Sequence, residues 1–253
     1  MELRFPLILD GATGTELQRR GYTGDISMEQ WTLAHPDCIR ELQRGYVDAG
    51  SRVLYTPTFG GNAVRLAAHG VTEDVAAYNR RLAALTREAA GGRALVAGDM
   101  APTGLFLPPL GDASFRQLVD AYAQQVAGLE EAGVDLYVIE TMISLSDARA
   151  AVLAVRAVTD KPIFVTFAYD GNGRSISGTD ITAALTALQD MGIDAFGLNC
   201  STGAQMLPQL RRLRAYARVP LIAKPSAGLP VMVDGRAVYD CPPEAFAACV
   251  PPM

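Results

Sequence analysis

Short apolar runs recur along the chain, each followed by a polar or glycine-rich turn and then by a segment with helical spacing. The runs cover residues 7–9, 53–55, 94–97, 136–139, 163–167, 195–198 and 221–223. Continuous apolar runs of this length suit strands buried on both faces, as in a parallel sheet. Between them, residues 115–132 place Leu118, Tyr122, Val126 and Leu129 at three- and four-residue steps. That stripe predicts a helix with one face against a sheet. Residues 145–158 and 181–191 are rich in Ala and Leu in the same way. The phrases ending in Gly50, Gly133 and Gly192 each close a helical segment just before the next run, where glycine accepts the left-handed turn that ends a helix.

Seven strands alternating with helices fit either a doubly wound sheet or a (βα)8 barrel. The first turn, Asp10-Gly11-Ala12-Thr13-Gly14-Thr15-Glu16, is not a dinucleotide-binding G-x-G-x-x-G, and no Walker A pattern occurs. Polar residues end nearly every run: Asp10, Thr56 and Thr58, Asp99, Glu140 and Thr141, Asn199 and Cys200, and Lys224. A barrel places such a ring at its catalytic mouth. The pattern therefore favours an α/β, (βα)8 TIM-type barrel forming a single domain over residues 1–253. After the seventh run come a turn at Asp234-Gly235, a short helical piece at 243–249, and Pro251-Pro252-Met253. At the spacing of the others, an eighth strand begins at or past the end. The expectation is a C-terminally truncated barrel lacking strand and helix eight.

Composition narrows the partners. Hydrophobic residues make up 49% and charged residues 19%, enough apolar surface for a large core. The net charge is −5 with no basic run, so nucleic acid is not an expected partner. Cys38, Cys200, Cys241 and Cys249 are too few and too scattered for a disulfide framework. The N-terminus does not read as a signal peptide, and no stretch reaches the roughly 18 apolar residues of a membrane span. The expected setting is cytoplasmic and reduced, away from membranes.

Cys200 ends the sixth run, followed by Ser201-Thr202-Gly203. A lone cysteine is most often a small buried hydrophobe. At a barrel mouth it is instead a candidate nucleophile or thiolate metal ligand. His35 and His69 lie outside the strand ends, which disfavours a histidine-paired nucleophile. Asp10 and Glu140 end the first and fourth runs. Read as structure, they are a capping acid and a solvated acid; read as chemistry, they converge to hold an ammonium by charge-assisted hydrogen bonds. The backbone of Gly11, Ala12, Thr13 and Gly14 offers N–H groups to a carboxylate. Together these parts describe an α-amino-acid site.

Six segments in order complete the picture: Leu9 to Glu16; Tyr55-Thr56-Pro57-Thr58-Phe59-Gly60; Gly98-Asp99-Met100-Ala101-Pro102-Thr103-Gly104; Glu140-Thr141; Gly197-Leu198-Asn199-Cys200-Ser201; and Pro225-Ser226-Ala227-Gly228-Leu229-Pro230. This set resembles the homocysteine S-methyltransferase family, and is most similar to the homocysteine-binding module of its cobalamin-dependent members. The resemblance implies a (βα)8 barrel that binds Zn²⁺ through three cysteine thiolates. One corresponds to Cys200, in the G-x-N-C motif that also holds Asn199. The other two form an adjacent pair in a Gly-Gly-Cys-Cys-Gly segment that this sequence lacks. The resemblance further implies that Asp10 and Glu140 hold the homocysteine amino group and that the turn Gly11 to Thr13 faces its carboxylate. It implies a thiol activated on zinc, which attacks a methyl group to give methionine. The donor would be methylcobalamin or another methyl carrier on corrinoid-binding and folate-binding domains or proteins. Pro57 and Ser226 stand where the family usually has polar or Asn residues. Two other readings remain open from sequence: a metal-free degenerate barrel that binds an amino acid or docks a corrinoid protein, and a lyase working through Lys224.

Overall fold

Six of the seven apolar runs form strands: β1 (Val53–Tyr55), β2 (Leu95–Met100), β3 (Leu136–Met142), β4 (Ile163–Phe167), β5 (Ala195–Thr202) and β6 (Leu221–Ser226). The computed structural model describes residues 3–228, 231–233, 236–239 and 241–249. All six strands are parallel and pair in sequence order, β1-β2-β3-β4-β5-β6. Consecutive order is the winding of a barrel; a doubly wound sheet reverses direction at an internal switch point. The sheet is also curled. Flat, six strands would set β1 and β6 about 24 Å apart at roughly 4.8 Å per strand. Instead the Lys224 Nζ on β6 lies 3.7 Å from the Tyr55 ring on β1.

The expected first strand, residues 7–9, is reduced to one parallel bridge between Leu9 and Val53. Its run is only three residues long and follows Pro6, which has no N–H to donate. The Ile8 carbonyl accepts from the Arg52 and Val53 N–H groups, and the Ile8 side chain is exposed. Among the described residues β6 pairs only with β5. An antiparallel pair, β7 (Val231–Val233) and β8 (Arg236–Val238), flanks the expected Asp234-Gly235 turn. That turn and Pro251-Pro252-Met253 lie outside the described residues. The expected helical piece at 243–249 is the helix Pro243–Ala248.

The crossovers are helical as the spacing predicts. Val75–Ala90 joins β1 to β2, and Phe115–Glu131 joins β2 to β3. Leu145–Arg156, Ile181–Gln189 and Gly203–Arg214 serve the three later crossovers. Leu118, Tyr122, Val126 and Leu129 are all buried. Gly50, Gly133 and Gly192 follow helix ends at φ of 109°, 71° and 81°.

The strands read as uniformly apolar, yet their side chains divide by strict alternation. Val53, Tyr55, Ala97, Leu136, Val138, Phe164, Ala195 and Ile222 fill the concave interior. Leu54, Val96, Tyr137, Ile139, Val165, Phe196 and Leu198 pack outward against the helices. Two-residue periodicity then dictates what comes next on the inner face. Asp99 follows Ala97, Glu140 follows Val138, Lys224 follows Ile222, and Asn199 follows Ala195 by four. The chemistry sits as one polar layer directly above an apolar plug.

A buried knot beneath the β2 loop ties two helices together. Asp147 accepts hydrogen bonds from the Thr103 N–H at 3.0 Å, the Thr103 hydroxyl at 3.1 Å and the Tyr122 hydroxyl at 3.0 Å. Burial is the largest influence on its carboxyl and raises it to about 6, against the pull of those donors. A carboxyl raised in the folded state binds its proton more tightly there than in the unfolded chain. Its contribution therefore favours folding at low pH and is lost as pH rises from about 4 to about 6. Relative to Asp147→Asn, wild type is expected to lose about 1 kcal/mol of stability between pH 5 and pH 7.5. Denaturant melts at the two pH values check this; parallel curves for the two proteins would refute it.

Candidate functional site

The Lys224 ammonium is the hub of the polar layer. It donates to Glu140 Oε2 at 3.3 Å, lies 3.8 Å from Asp10 Oδ1 and caps the Tyr55 ring face. Burial works against its charge, but Glu140, Tyr55, Asp10 and Asp99 outweigh that and hold it above the ordinary lysine value. A Schiff-base lysine must shed its proton to attack a carbonyl. Glu140 and Asp10 beside it favour the charged form instead, so the described rim speaks for an ion-pairing role of Lys224 over the lyase reading.

Asp10 is 6% exposed. Its Oδ2 accepts the Tyr55 N–H at 2.8 Å, which anchors the residue after the bridge to the first strand of the sheet. Among the described residues its Oδ1 is buried without a hydrogen-bond partner. Burial raises this carboxyl to about 6, with Lys224 pulling the other way. Asp99 is also buried, its Oδ1 unpartnered among the described residues, and burial and then the Glu140 charge push its carboxyl well up. Unmet acceptors in a desolvated pocket are costly unless a donor arrives.

Glu140 and Thr141 lie just before Met142, the last residue of β3, and Asn199 and Cys200 lie near the end of β5. Both places carry register shifts, between Ile139 and Met142 and between Asn199 and Thr202. At each, a non-glycine residue takes a left-handed backbone: Thr141 at φ 59° and Cys200 at φ 60°. A β-branched residue there is a strained exception, and such strain gathers at sites where a side chain must be re-aimed. The result is a chain of contacts. Asn199 Nδ2 donates to Thr141 Oγ1 at 2.6 Å, and Cys200 Sγ is 3.9 Å from that same oxygen. Cys200 is exposed at the rim. Partial burial of its sulfur is the largest influence on the thiol and pushes its pKa up.

The turn from Gly11 to Thr13 is pinned by Tyr46, from the helix Pro36–Asp48. The Tyr46 hydroxyl donates to the Ala12 carbonyl at 2.6 Å. A Cβ at Gly11 would meet the Tyr46 ring at 2.7 Å, so only glycine leaves room for that contact. Thr13 is the N-cap of the helix Gly14–Arg19 but makes no side-chain cap bond.

Asp10, Glu140, Asn199 and Cys200 thus come to one end of the sheet, as expected from their strand-end positions. The other cysteines do not join them in a ligand set. Cys38 packs beside the Leu17–Trp31 cluster, and the Cys249 thiol donates to the Phe246 carbonyl. Among the described residues no three His, Cys, Asp or Glu side chains are placed to hold a metal ion. His35 stacks on Trp31 and His69 ends the helix Ala63–Ala68. Thr56 and Thr58, read from sequence as rim residues, are buried braces. Thr56 Oγ1 accepts the Asp99 N–H, and Thr58 Oγ1 donates to the Asp99 carbonyl. The sequence reading missed Tyr55 as the platform for Lys224. Strict alternation from Val53 was the available signal.

The comparisons with known proteins agree in direction. The family model described as homocysteine S-methyltransferase matches residues 7–251. Over 95% of this chain's length, it is 34% identical to the methionine synthase of Mycobacterium leprae and 32% identical to that of Mycobacterium tuberculosis. It spans only 21% and 22% of those proteins, about a fifth of each. The metallated form of the Escherichia coli homocysteine methyltransferase MmuM superposes with a TM-score of 0.77 at 24% identity. The match covers 88% of this chain and 84% of that one, which shows a shared fold. With its family model matched along nearly its whole length, and with two relatives above 30% identity covering almost all of it, the chain belongs to the homocysteine S-methyltransferase family.

Proposed function

We propose that this chain is a homocysteine-binding barrel that presents the substrate thiol for methylation to methionine. The observation that carries it is the buried, unpartnered Asp10 Oδ1 facing the Glu140 carboxylate across a rim that also holds Cys200. A donor with two or more protons and a positive charge satisfies that arrangement, and an α-ammonium is such a donor. The backbone of Gly11, Ala12 and Thr13 lies one residue beyond Asp10, the right side for the α-carboxylate. Asn199 orients Thr141 and through it the approach to Cys200. In the reaction the thiol gives up its proton, its sulfur bonds the methyl carbon, and the donor departs with the electron pair of the broken bond.

The finer architecture is (βα)8, with residues 7–9 in the place of the first strand. The methyl donor is a corrinoid or folate system carried outside this chain, and the setting is cytoplasmic. Among the described residues no helix is long and apolar enough to cross a membrane. A tetrahedral zinc needs three or four donors. The described rim supplies one sulfur, Cys200, so its residues alone do not fit the ion and no step is routed through it.

The test is calorimetry of the chain with L-homocysteine and with 4-mercaptobutanoate, which keeps the thiol and carboxylate but lacks the amine. Homocysteine is expected to bind at least about tenfold more tightly, the share of one charge-assisted contact. Equal affinities would sink the reading.

A further inference from the structure

The geometry points to Lys224 as a tethered stand-in for the substrate's ammonium, which occupies the amino-group position in the free chain and must leave it when homocysteine binds. This rests on the amino-acid reading of the rim given above.

Three observations carry it. First, the Lys224 Nζ sits between the same two acids that would hold the substrate amine, 3.3 Å from Glu140 Oε2 and 3.8 Å from Asp10 Oδ1. Second, the fit is incomplete. At 3.8 Å the Asp10 oxygen receives no hydrogen bond from Lys224, and among the described residues it stays buried and unpartnered although a cation lies next to it. The lysine stem, fixed at β6, brings its head into the field of both acids without satisfying them. A free ammonium is not bound by that tether and can approach Asp10 to hydrogen-bond distance. Third, the position holds the right chemical group. Among the chain's 22 basic residues only Lys161 and Lys224 are lysines. A lysine carries a compact R–NH₃⁺ like that of an amino acid, whereas arginine's planar fork would not copy it. Lys161 pairs with Glu130 elsewhere, at 2.9 Å.

The Tyr55 ring helps to hold the resident cation in the free chain, 3.7 Å from the Lys224 Nζ. A cation over an aromatic face is attracted without needing a hydrogen-bond acceptor. Displacement takes Lys224 off the ring as well as off the carboxylates, so the incoming ammonium must outbid both contacts. Two like charges cannot share one small, desolvated pair of acids without repulsion, so the substrate amine and Lys224 compete. The consequence is selectivity: an amine-bearing ligand reaches the two acids only if its ammonium outbids the resident one, and ligands lacking an amine leave Lys224 in place.

Two measurements test this. In the chain labelled with ¹³C-lysine, two side-chain εCH₂ signals are expected, one shifted upfield by the Tyr55 ring and absent from Lys224→Met. Saturation with homocysteine is expected to move that signal toward the position of a free lysine, while 4-mercaptobutanoate leaves it in place. In calorimetry, Lys224→Met is expected to bind homocysteine about tenfold more tightly, with 4-mercaptobutanoate unchanged. An upfield signal that stays put at homocysteine saturation overturns the proposal, as does a variant that binds homocysteine no more tightly than wild type. If Lys224→Met does not fold, the wild-type spectra still decide. Failure of homocysteine to bind wild type at all would remove the amino-acid reading and this inference with it. Binding with an unmoved Lys224 removes this inference alone.

Discussion

Glu140→Gln is expected to weaken homocysteine binding by about 2 kcal/mol, roughly thirtyfold in Kd, because the amide keeps the shape but loses the charge. Glu140 is the inward residue above Val138, at the register shift that ends the regular pairing of β3 with β4. Its Oε2 already engages an ammonium, that of Lys224. A carboxylate facing an ammonium makes a stronger hydrogen bond than an amide oxygen does. The substitution leaves the Asp10 anchor on the Tyr55 N–H intact, so the fold at the rim should persist. Calorimetry with homocysteine and 4-mercaptobutanoate separates the two effects. Homocysteine should weaken, and the amine-free acid should hardly change. An unchanged homocysteine affinity would show that Glu140 does not touch the amine.

Gly197→Ala is expected to cost at least about 3 kcal/mol of stability, a fall in Tm of about 6–12 °C for a domain of this size. Gly197 pairs directly with Ile222 where β5 meets β6. A Cβ there would overlap the Ile222 carbonyl oxygen and come within 2.5 Å of its Cβ. Those atoms belong to or hang directly from a neighbouring strand's backbone and cannot rotate aside. Relief requires moving β6, and β6 carries Lys224. Gly45→Ala is the matched control. Gly45 lies exposed inside the helix Pro36–Asp48, and a methyl added there would meet nothing within 4 Å, so alanine should stabilise by up to about 1 kcal/mol. Thermal melts of both variants check the pair. Equal, small shifts would mean that the β5–β6 seam is looser than the distances say.

Much of the candidate site's placement was legible because strand ends can be read from the linear pattern. Asp10, Glu140, Asn199 and Cys200 each close an apolar run, and a barrel gathers such ends at one mouth. Thr56 and Thr58 follow the same rule in sequence but turn into the β1–β2 seam, where they bind the Asp99 backbone. Hydroxyls that find a backbone partner within their own seam stop being rim groups, and that choice has no signature in residue type. The reading of residues 7–9 as a full strand failed for a related reason. An apolar run sets the propensity for a strand, but the ladder's length depends on partners on either side, and among the described residues only Val53 bridges it.

Residues a few positions apart are enough to establish the alternation of strands and helices, the glycine-closed helix ends, the ring of polar strand ends and the lack of an adjacent cysteine pair. Each is a local property, readable one window at a time. Which face of a uniformly apolar strand turns inward is not local, and with it goes the question of which polar residues share a layer. Nor is the curl that brings β6 round to β1, so that Lys224 reaches Asp10 from the far end of the fold. Backbone twist and side-chain volume summed over six strands set that closure, and no window of neighbouring residues contains it.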